Sequence, residues 1–313
     1  MDNSPVKLTA PIKDYLWGGT RLISDFGKKT NLEKAAESWE LSTHPDGESV
    51  ICSGEFDGMK LSDYIKANGN ADCIGSRAAE FDFFPILIKL IDAKDNLSIQ
   101  VHPDDEYALK NEKEYGKTEM WYIVDCEEGA YIYYGLKDTI SKEEFQNRIE
   151  NNTLLEILNK VEVHKGDVFF IPSGTIHAIC SGILICEVQQ NSNTTYRVYD
   201  YDRVGADGKK RELHIKKAMD VSNLFPAPPI NKSSSSTLAS CKYFTAEKIE
   251  CTSEVIIKID KSSFRSLVIT EGCGSLELNS EVMQFKKGES IFIPAQNMDV
   301  KFNGDFTAIL SYV

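Results

Sequence analysis

The chain has 313 residues, of which 42% are hydrophobic and 27% charged, the composition of a globular protein long enough for two domains. Its net charge of −13 argues against nucleic acid or an anionic membrane as a partner, because both select basic surfaces. The N-terminus lacks the features of a signal peptide, apolar runs are too short to span a bilayer, and the 8 cysteines form no C-x-x-C pair, so we expect a cytoplasmic protein with free thiols.

Short runs of β-forming residues, separated by Gly and Pro, dominate the first two thirds of the chain. They predict strands at residues 49–52, 85–91, 98–101, 120–124, 131–134, 168–171, 183–189 and 195–199. Short helices are predicted at 61–66 and 104–112, the second beginning with an acidic first turn. A longer helix is predicted at 141–159, with Ser141 as its N-cap and Glu144 three residues on. The pattern predicts a mainly β fold of the sandwich or jelly-roll type, with short helical insertions.

A segment rich in Pro and Ser at residues 226–240 predicts a linker between an N-terminal domain, 1–225, and a C-terminal domain, 241–313. The run KGDVFFIP at 165–172 returns as KGESIFIP at 287–294, which predicts two copies of one β-barrel. In the second copy Asp299 stands where the first has His177, and no Q-x-H motif precedes it. We therefore expect the C-terminal domain to bind no metal.

Residues typical of metal ligands lie on three predicted strands of the N-terminal domain. Gln100 and His102 are two apart on one strand and therefore share a face. Glu119 begins the run EMWYIV, and His177 follows a strand that ends in a Pro/Gly turn. Two imidazoles and a carboxylate with an open coordination position are typical of a catalytic zinc site.

The segment from Gly166 to His177, which ends in P-x-G-x-x-H, resembles the second metal motif of cupins. Four longer runs extend this pattern: PILIKLIDA at 85–93, LSIQVHPDD at 97–105, KTEMWY at 117–122 and QQNSNTTYRVYD at 189–200. Together they resemble the type I phosphomannose isomerases of the cupin superfamily, in the short bacterial form. The likeness is strong from residue 17 to 202 and weaker beyond. In one departure, Thr118 stands where the family commonly has Pro.

The resemblance implies two cupin-type β-barrels and a zinc-dependent enzyme that interconverts mannose 6-phosphate and fructose 6-phosphate through a cis-enediol. It implies one Zn²⁺ per chain, held by Gln100, His102, Glu119 and His177, with Arg197 as a catalytic residue. Gln100 is the weakest of these ligands, because an amide oxygen binds Zn²⁺ poorly and can instead support a ligand from outside the first coordination sphere.

Three further side chains are candidates for the chemistry. Lys117 shares the strand face of Glu119 and is a candidate for contacting the substrate phosphate or a sugar oxygen, with Lys89 a weaker one. Glu187, in an apolar strand, is either a buried carboxylate near the site or an outward-facing residue. The general base stays open between Glu187, Lys117 and a metal-bound hydroxide.

Two other classes of function fit part of the pattern. A metal-dependent cupin of different chemistry, such as a dioxygenase or a sugar-phosphate epimerase, would keep the ligands but not need the Tyr196-Arg197 run. A non-catalytic sugar sensor would tolerate loss of Arg197. The sequence predicts no oligomeric state.

Overall fold

The computed structural model describes residues 4–205, 208–230, 235–278 and 281–313. Within these residues the fold is mainly β, as predicted. The strands are β1 (Val6–Thr9), β2 (Ile12–Lys13), β3 (Glu37–Leu41), β4 (Thr43–His44), β5 (Gly47–Glu48), β6 (Val50–Ile51), β7 (Ile86–Ala93), β8 (Ile99–Val101), β9 (Glu119–Cys126), β10 (Tyr131–Leu136), β11 (Leu158–Glu162), β12 (Val168–Ile171), β13 (His177–Ile179), β14 (Ile183–Gln190), β15 (Tyr196–Tyr199), β16 (Thr237–Ser240), β17 (Thr245–Cys251), β18 (Glu254–Ile259), β19 (Arg265–Leu278), β20 (Glu281–Lys286), β21 (Ser290–Ile293) and β22 (Met298–Tyr312). The helices are α1 (Arg21–Ser24), α2 (Leu61–Ala67), α3 (Ala71–Ile74), α4 (Asp105–Asn111), α5 (Lys142–Glu150), α6 (Leu154–Ile157) and α7 (Ile215–Val221).

Each of the eight predicted strands is present, and so are the two short predicted helices. The long helix predicted at 141–159 is wrong in its second half. It begins as predicted, with the Ser141 hydroxyl accepting from the Glu144 N–H at 3.1 Å. It ends at Glu150, because Asn152 takes a positive φ of 56° that an α-helix cannot contain. A one-turn helix and strand β11 follow.

Three sheets stack in layers. The central sheet has the order β12-β9-β14-β7-β3-β2, and the outer sheet has the order β11-β10-β13-β8-β15. The C-terminal sheet runs β16-β17-β22-β19-β21-β1-β6, with β18 paired to β22 and β20 to β19. No sheet closes on itself in the described residues, so two closed barrels are not confirmed, although the layers are those of a β-sandwich.

The central sheet is buried on both faces. Every residue of β7 and of β14 is buried, and this explains why both read as unbroken apolar runs in the sequence. On one face Ile185 belongs to a core shared with Ile179 of the outer sheet. On the other face Val188 belongs to a core shared with Phe292 of the C-terminal sheet. Strand β9, which carries the candidate ligand Glu119, is therefore packed from both sides, and β8 and β13 of the outer sheet contribute Ile99 and Ala178 to a further core.

The N-terminal strand completes the C-terminal sheet. β1 pairs with β21 on one side and with β6 on the other. The sequence did not predict that N-terminal strands belong to the C-terminal sheet. The predicted linker is structured at both ends: Pro226 forms a bridge to Leu136, and residues 237–240 form β16, while 231–234 lie outside the described residues. The proposed boundaries at 225 and 241 remain a prediction about folding units.

The two KG runs lead into comparable strands. Gly166 and Gly288 have φ values of 91° and 83°, and β12 and β21 follow them. Asp299 is exposed on β22 opposite Lys258, and the absence of metal there remains a prediction. All eight cysteines are free thiols. Among the described helices none has the length and apolarity that crossing a membrane would need.

Candidate metal centre and active-site cavity

His102, Glu119 and His177 meet in the gap between the outer and central sheets. One potential ligand atom from each lies within 4.8 Å of the others, and all three side chains are buried. Nε2 of His177 is 3.1 Å and Nε2 of His102 is 3.4 Å from Oε1 of Glu119. The strand pairing brings them together, because His177 begins β13, His102 follows β8, and Glu119 begins β9 on the facing sheet.

Both imidazoles are fixed by their other nitrogen. Nδ1 of His102 is 2.9 Å from the Thr194 carbonyl oxygen, and Nδ1 of His177 is 2.8 Å from the Thr175 carbonyl oxygen. A carbonyl only accepts, so each Nδ1 carries the proton and each Nε2 presents a lone pair. Three acceptor atoms then converge in a buried space. Oε1 of Glu119 and Nε2 of His177 have no hydrogen-bond donor in the described residues, which is the arrangement that a bound cation satisfies.

Lys117 lies against the same three residues. Its ammonium is 3.1 Å from Oε2 of Glu119 and 3.2 Å from Nε2 of His102. Burial would raise the pKa of the Glu119 carboxyl, but Lys117 and His102 outweigh it and hold that pKa well below its usual range. Burial and the charge of Lys117 lower the pKa of His102 to about 3. His102 is therefore neutral at physiological pH, the form that binds metal.

A cavity of about 260 Å³ opens beside the three residues. Gln100 lies on its wall, on β8 directly opposite both His177 and Arg197 in the register. All of the predicted non-metal candidates reach this cavity: Lys117, Glu187, Arg197 and Lys89. Residues that the sequence did not identify complete its wall: Tyr15, Trp17, Glu37, Ile91, Leu97, Ser98, Ile179, Asn193, Thr195 and Arg211.

Glu187 is a buried cavity residue, which settles the choice that the sequence left open. Its Oε1 accepts from the indole N–H of Trp121 at 2.9 Å, while its Oε2 has no hydrogen-bond partner in the described chain. Burial, with the negative charge of Glu119, raises the pKa of Glu187 to about 7. Lys89 is 3.6 Å from Glu187 and 3.5 Å from Glu37. Burial would lower the pKa of Lys89, but these two carboxylates raise it, so Lys89 is a buried cation.

Arg197 and Arg211 line the cavity, and Arg203 lies beside Arg211. Arg211 binds the carboxylate of Asp200 through Nε at 2.8 Å and Nη2 at 2.6 Å, and Arg203 contacts the same carboxylate at 2.5 Å. Arg197 donates from Nη1 to the Glu212 carbonyl oxygen at 3.0 Å, and its buried Nε has no partner among the described residues. Burial and the neighbouring Arg211 lower the pKa of Arg197. Two guanidinium groups share the Asp200 carboxylate and the Arg197 guanidinium contacts no carboxylate in the described residues, which leaves a net positive wall that suits an anion.

The three histidines outside the candidate metal centre do not line the cavity. His164 is exposed, and His214 accepts from the Arg197 backbone N–H at 3.2 Å. His44 is buried and sits 3.4 Å from Glu114. Glu37 and Arg211 were missed because no motif marks them. Glu37 alone offered a signal, since a carboxylate in an apolar strand requires a partner, here the indole N–H of Trp39 at 2.7 Å.

Comparison with known proteins supports the expected activity. A model for the catalytic domain of type I phosphomannose isomerase matches residues 6–131, and a model for the cupin domain of mannose-6-phosphate isomerase matches 234–313. Mannose-6-phosphate isomerase ManA of Bacillus subtilis is 39% identical over 100% of both chains, and the Streptococcus mutans enzyme is 37% identical over 98% of both.

Solved structures agree. The crystal structure of the Bacillus subtilis mannose 6-phosphate isomerase superposes with a TM-score of 0.91, at 38% identity, over 99% of this chain and 100% of that one. A mannose 6-phosphate isomerase bound with zinc and yttrium has a TM-score of 0.76 at 18% identity, over 99% of both chains, which is a likeness of fold. The relatives favour an isomerase over the dioxygenase, epimerase and sensor alternatives.

Proposed function

The chain belongs to the type I phosphomannose isomerase family, and from this premise we propose that it is a cytoplasmic, zinc-dependent isomerase. It interconverts mannose 6-phosphate and fructose 6-phosphate through a cis-enediol. One Zn²⁺ per chain is held by His102, Glu119 and His177, with Gln100 as the fourth ligand. No nucleic acid or membrane partner is involved.

The convergence of acceptor atoms carries this proposal. Oε1 of Glu119 is 3.1 Å from an imidazole nitrogen that presents a lone pair, and nothing in the described residues donates to either atom. Burying such a pair is costly unless a cation lies between the two atoms. Imidazole and carboxylate ligands suit Zn²⁺, and a catalytic zinc site can expand to five ligands, so a fourth protein ligand still leaves a position for substrate or water. When bound, the metal supplies Lewis-acid stabilisation of charge on the sugar oxygens.

The arginine wall gives the phosphate and the developing negative charge a place to bind. Arg197 and Arg211 line the cavity, and the planar guanidinium group suits either a phosphate or an enediolate oxygen. The chain as a whole carries a charge of −13, so this local positive wall is needed to hold an anionic sugar.

Glu187 is the general base of the proposed reaction. Burial raises its pKa above the usual range of a carboxyl and toward the operating pH, where a base works best. Its Oε2 lies 3.6 Å from Lys89 and has no hydrogen-bond partner in the described residues, and the side chain lines the cavity. The carboxylate takes the proton from C2 of the aldose as the C1 carbonyl oxygen gains the electron pair. A proton then passes from the C2 hydroxyl to the C1 oxygen, and the carboxylate returns its proton to C1 as the C2 carbonyl forms. Lys117, beside Glu119, serves as a cation that stabilises negative charge at the sugar oxygens.

A coupled assay of fructose 6-phosphate formation from mannose 6-phosphate tests the proposal. The purified protein should be active, should lose activity after a chelator removes its metal, and should regain it with Zn²⁺. Activity that survives complete metal removal would refute the zinc dependence, and inactivity of the zinc-loaded protein would refute the substrate assignment.

A further inference from the structure

The polar run QQNSNTT at residues 189–195 contains the carbonyl that orients a metal ligand. Its Thr194 oxygen lies 2.9 Å from Nδ1 of His102. The run turns sharply after β14, and a turn of this kind has no ladder to hold its carbonyls in place. The groups that fix the Thr194 carbonyl therefore also affect the orientation of the His102 ring.

One carboxylate binds this turn at three points. Oε2 of Glu114 accepts from the Asn193 N–H at 3.0 Å, the Thr194 hydroxyl at 3.1 Å and the Ser192 hydroxyl at 3.2 Å. The Ser192 hydroxyl oxygen in turn accepts from the Thr194 N–H at 3.2 Å. Hydrogen bonds to a charged acceptor are stronger than neutral ones, so the carboxylate sets the conformation of the turn.

His44 in turn contacts Glu114. Nε2 of His44 is 3.4 Å from its other oxygen, and Nδ1 of His44 accepts from the Asp46 N–H at 3.1 Å, which leaves the His44 ring proton on the side facing Glu114. Glu114 also lies three residues before Lys117 in the segment that leads to Glu119. It therefore joins the segment that carries one metal ligand to the turn that orients another.

We propose that Glu114 is a positioning residue of the metal centre, which fixes the Thr194 carbonyl and through it the ring of His102. The proposal rests on the proposed zinc site. Groups that orient a metal ligand typically contribute about 10–100-fold in metal affinity. Glu114 acts on His102 only through the Thr194 carbonyl, so we expect an effect at the lower end of that range. Glu114 touches neither the substrate cavity nor the metal ligands directly.

Zinc affinity, measured by competition with a chromophoric chelator, tests this inference without any assay of activity. The Glu114→Ala variant should bind Zn²⁺ about tenfold more weakly than the wild type. Glu114→Gln keeps one acceptor oxygen for the turn and should recover part of the loss. Thr194→Val removes one donor but keeps the carbonyl, so it should weaken binding less than Glu114→Ala. It also provides a second variant if Glu114→Ala folds poorly.

Glu128→Ala is the matched control, because Glu128 is an exposed carboxylate at the β9–β10 turn and its loss changes the net charge equally. Weaker binding by Glu114→Ala and Thr194→Val, with wild-type binding by Glu128→Ala, supports the proposal. Wild-type affinity in Glu114→Ala, or an equal loss in Glu128→Ala, overturns it. A wild-type protein that binds no zinc would instead refute the metal site itself, so the two failures are distinguishable.

Discussion

The indole nitrogen of Trp121 donates a hydrogen bond of 2.9 Å to Oε1 of Glu187, and both side chains are buried in the central sheet. The two residues are directly opposite in the register of β9 and β14. This contact fixes one oxygen of the carboxylate and leaves Oε2 without a hydrogen-bond partner in the described residues, at 3.6 Å from the Lys89 ammonium. Glu187 is thus a carboxylate with one oxygen anchored and the other available for proton transfer.

Replacing Glu187 by Gln tests its role as the base. The amide has nearly the same shape and can still accept from Trp121, but it cannot take a proton at physiological pH. We expect kcat to fall by about 100-fold or more, the usual contribution of a general base, with zinc content unchanged. Steady-state kinetics and metal analysis measure both quantities. A kcat within a few-fold of the wild type would assign the base to another group.

Loss of a metal ligand should remove activity but not the fold. His102→Ala should bind far less than one Zn²⁺ per chain, and its far-UV circular dichroism should match that of the wild type. The strands that present the ligands belong to two sheets that already pack large apolar cores, unlike a zinc finger, whose metal makes the fold. Unfolding of the chelated protein under native conditions would contradict this.

Arg197→Ala should lower kcat by about 100-fold, the effect typical of removing a group that stabilises developing charge, and should leave zinc content unchanged. Arg197 is separated from the three acceptor residues by Gln100 on β8, so its loss should not disturb them. If only KM rises, Arg197 binds the phosphate and the enediolate is stabilised elsewhere. Arg211 also lines the cavity, so the kinetics of Arg211→Ala should be measured for comparison.

The grouping of His102, Glu119 and His177 was predictable because each residue lies at the end of, or close to, a strand that periodicity identifies, and because two imidazoles and a carboxylate have few other uses together. The contacts that support these residues were not predictable. Trp121 is one of several aromatics in an apolar strand, and nothing in the sequence places its N–H opposite Glu187. The pairing of β1 with β21 joins residues almost 300 positions apart, and local patterns carry no information on such contacts. Closed barrels were expected from the resemblance, and the sheets instead remain open in the described chain.

The charge on Glu114 should make stability depend on pH. His44 beside it, together with the Asn193 N–H, lowers the pKa of Glu114 to about 2, below the value of about 4.3 in an unfolded chain. A carboxyl whose pKa is lowered by folding stabilises the protein above its unfolded pKa, and this contribution is lost as the pH falls toward the folded value. The free energy of unfolding of the metal-free wild type should therefore exceed that of metal-free Glu114→Gln at pH 6, and this difference should shrink as the pH falls below about 4.3. Urea unfolding at pH 6 and pH 3.5 measures this difference. A constant difference would contradict the shift.

A buried ion pair joins the central sheet to the C-terminal sheet. Nζ of Lys28 is 2.6 Å from Oε1 of Glu40 and donates to the Gly288 carbonyl oxygen at 2.7 Å, and the Ser290 hydroxyl donates to Glu40. Glu40 is fully buried and Lys28 nearly so. Glu40→Ala would leave the ammonium without its counter-charge, so the free energy of unfolding should fall by about 3–5 kcal/mol.

The double variant Lys28→Met/Glu40→Leu replaces both charges by apolar groups of similar volume, and it should recover most of that loss, because the desolvation of two charges is then avoided. Denaturant unfolding at a fixed zinc concentration measures the three proteins. A loss of about 1 kcal/mol or less in Glu40→Ala, the size expected of an exposed pair, would mean that water reaches this contact and that the two sheets are held by their apolar core alone.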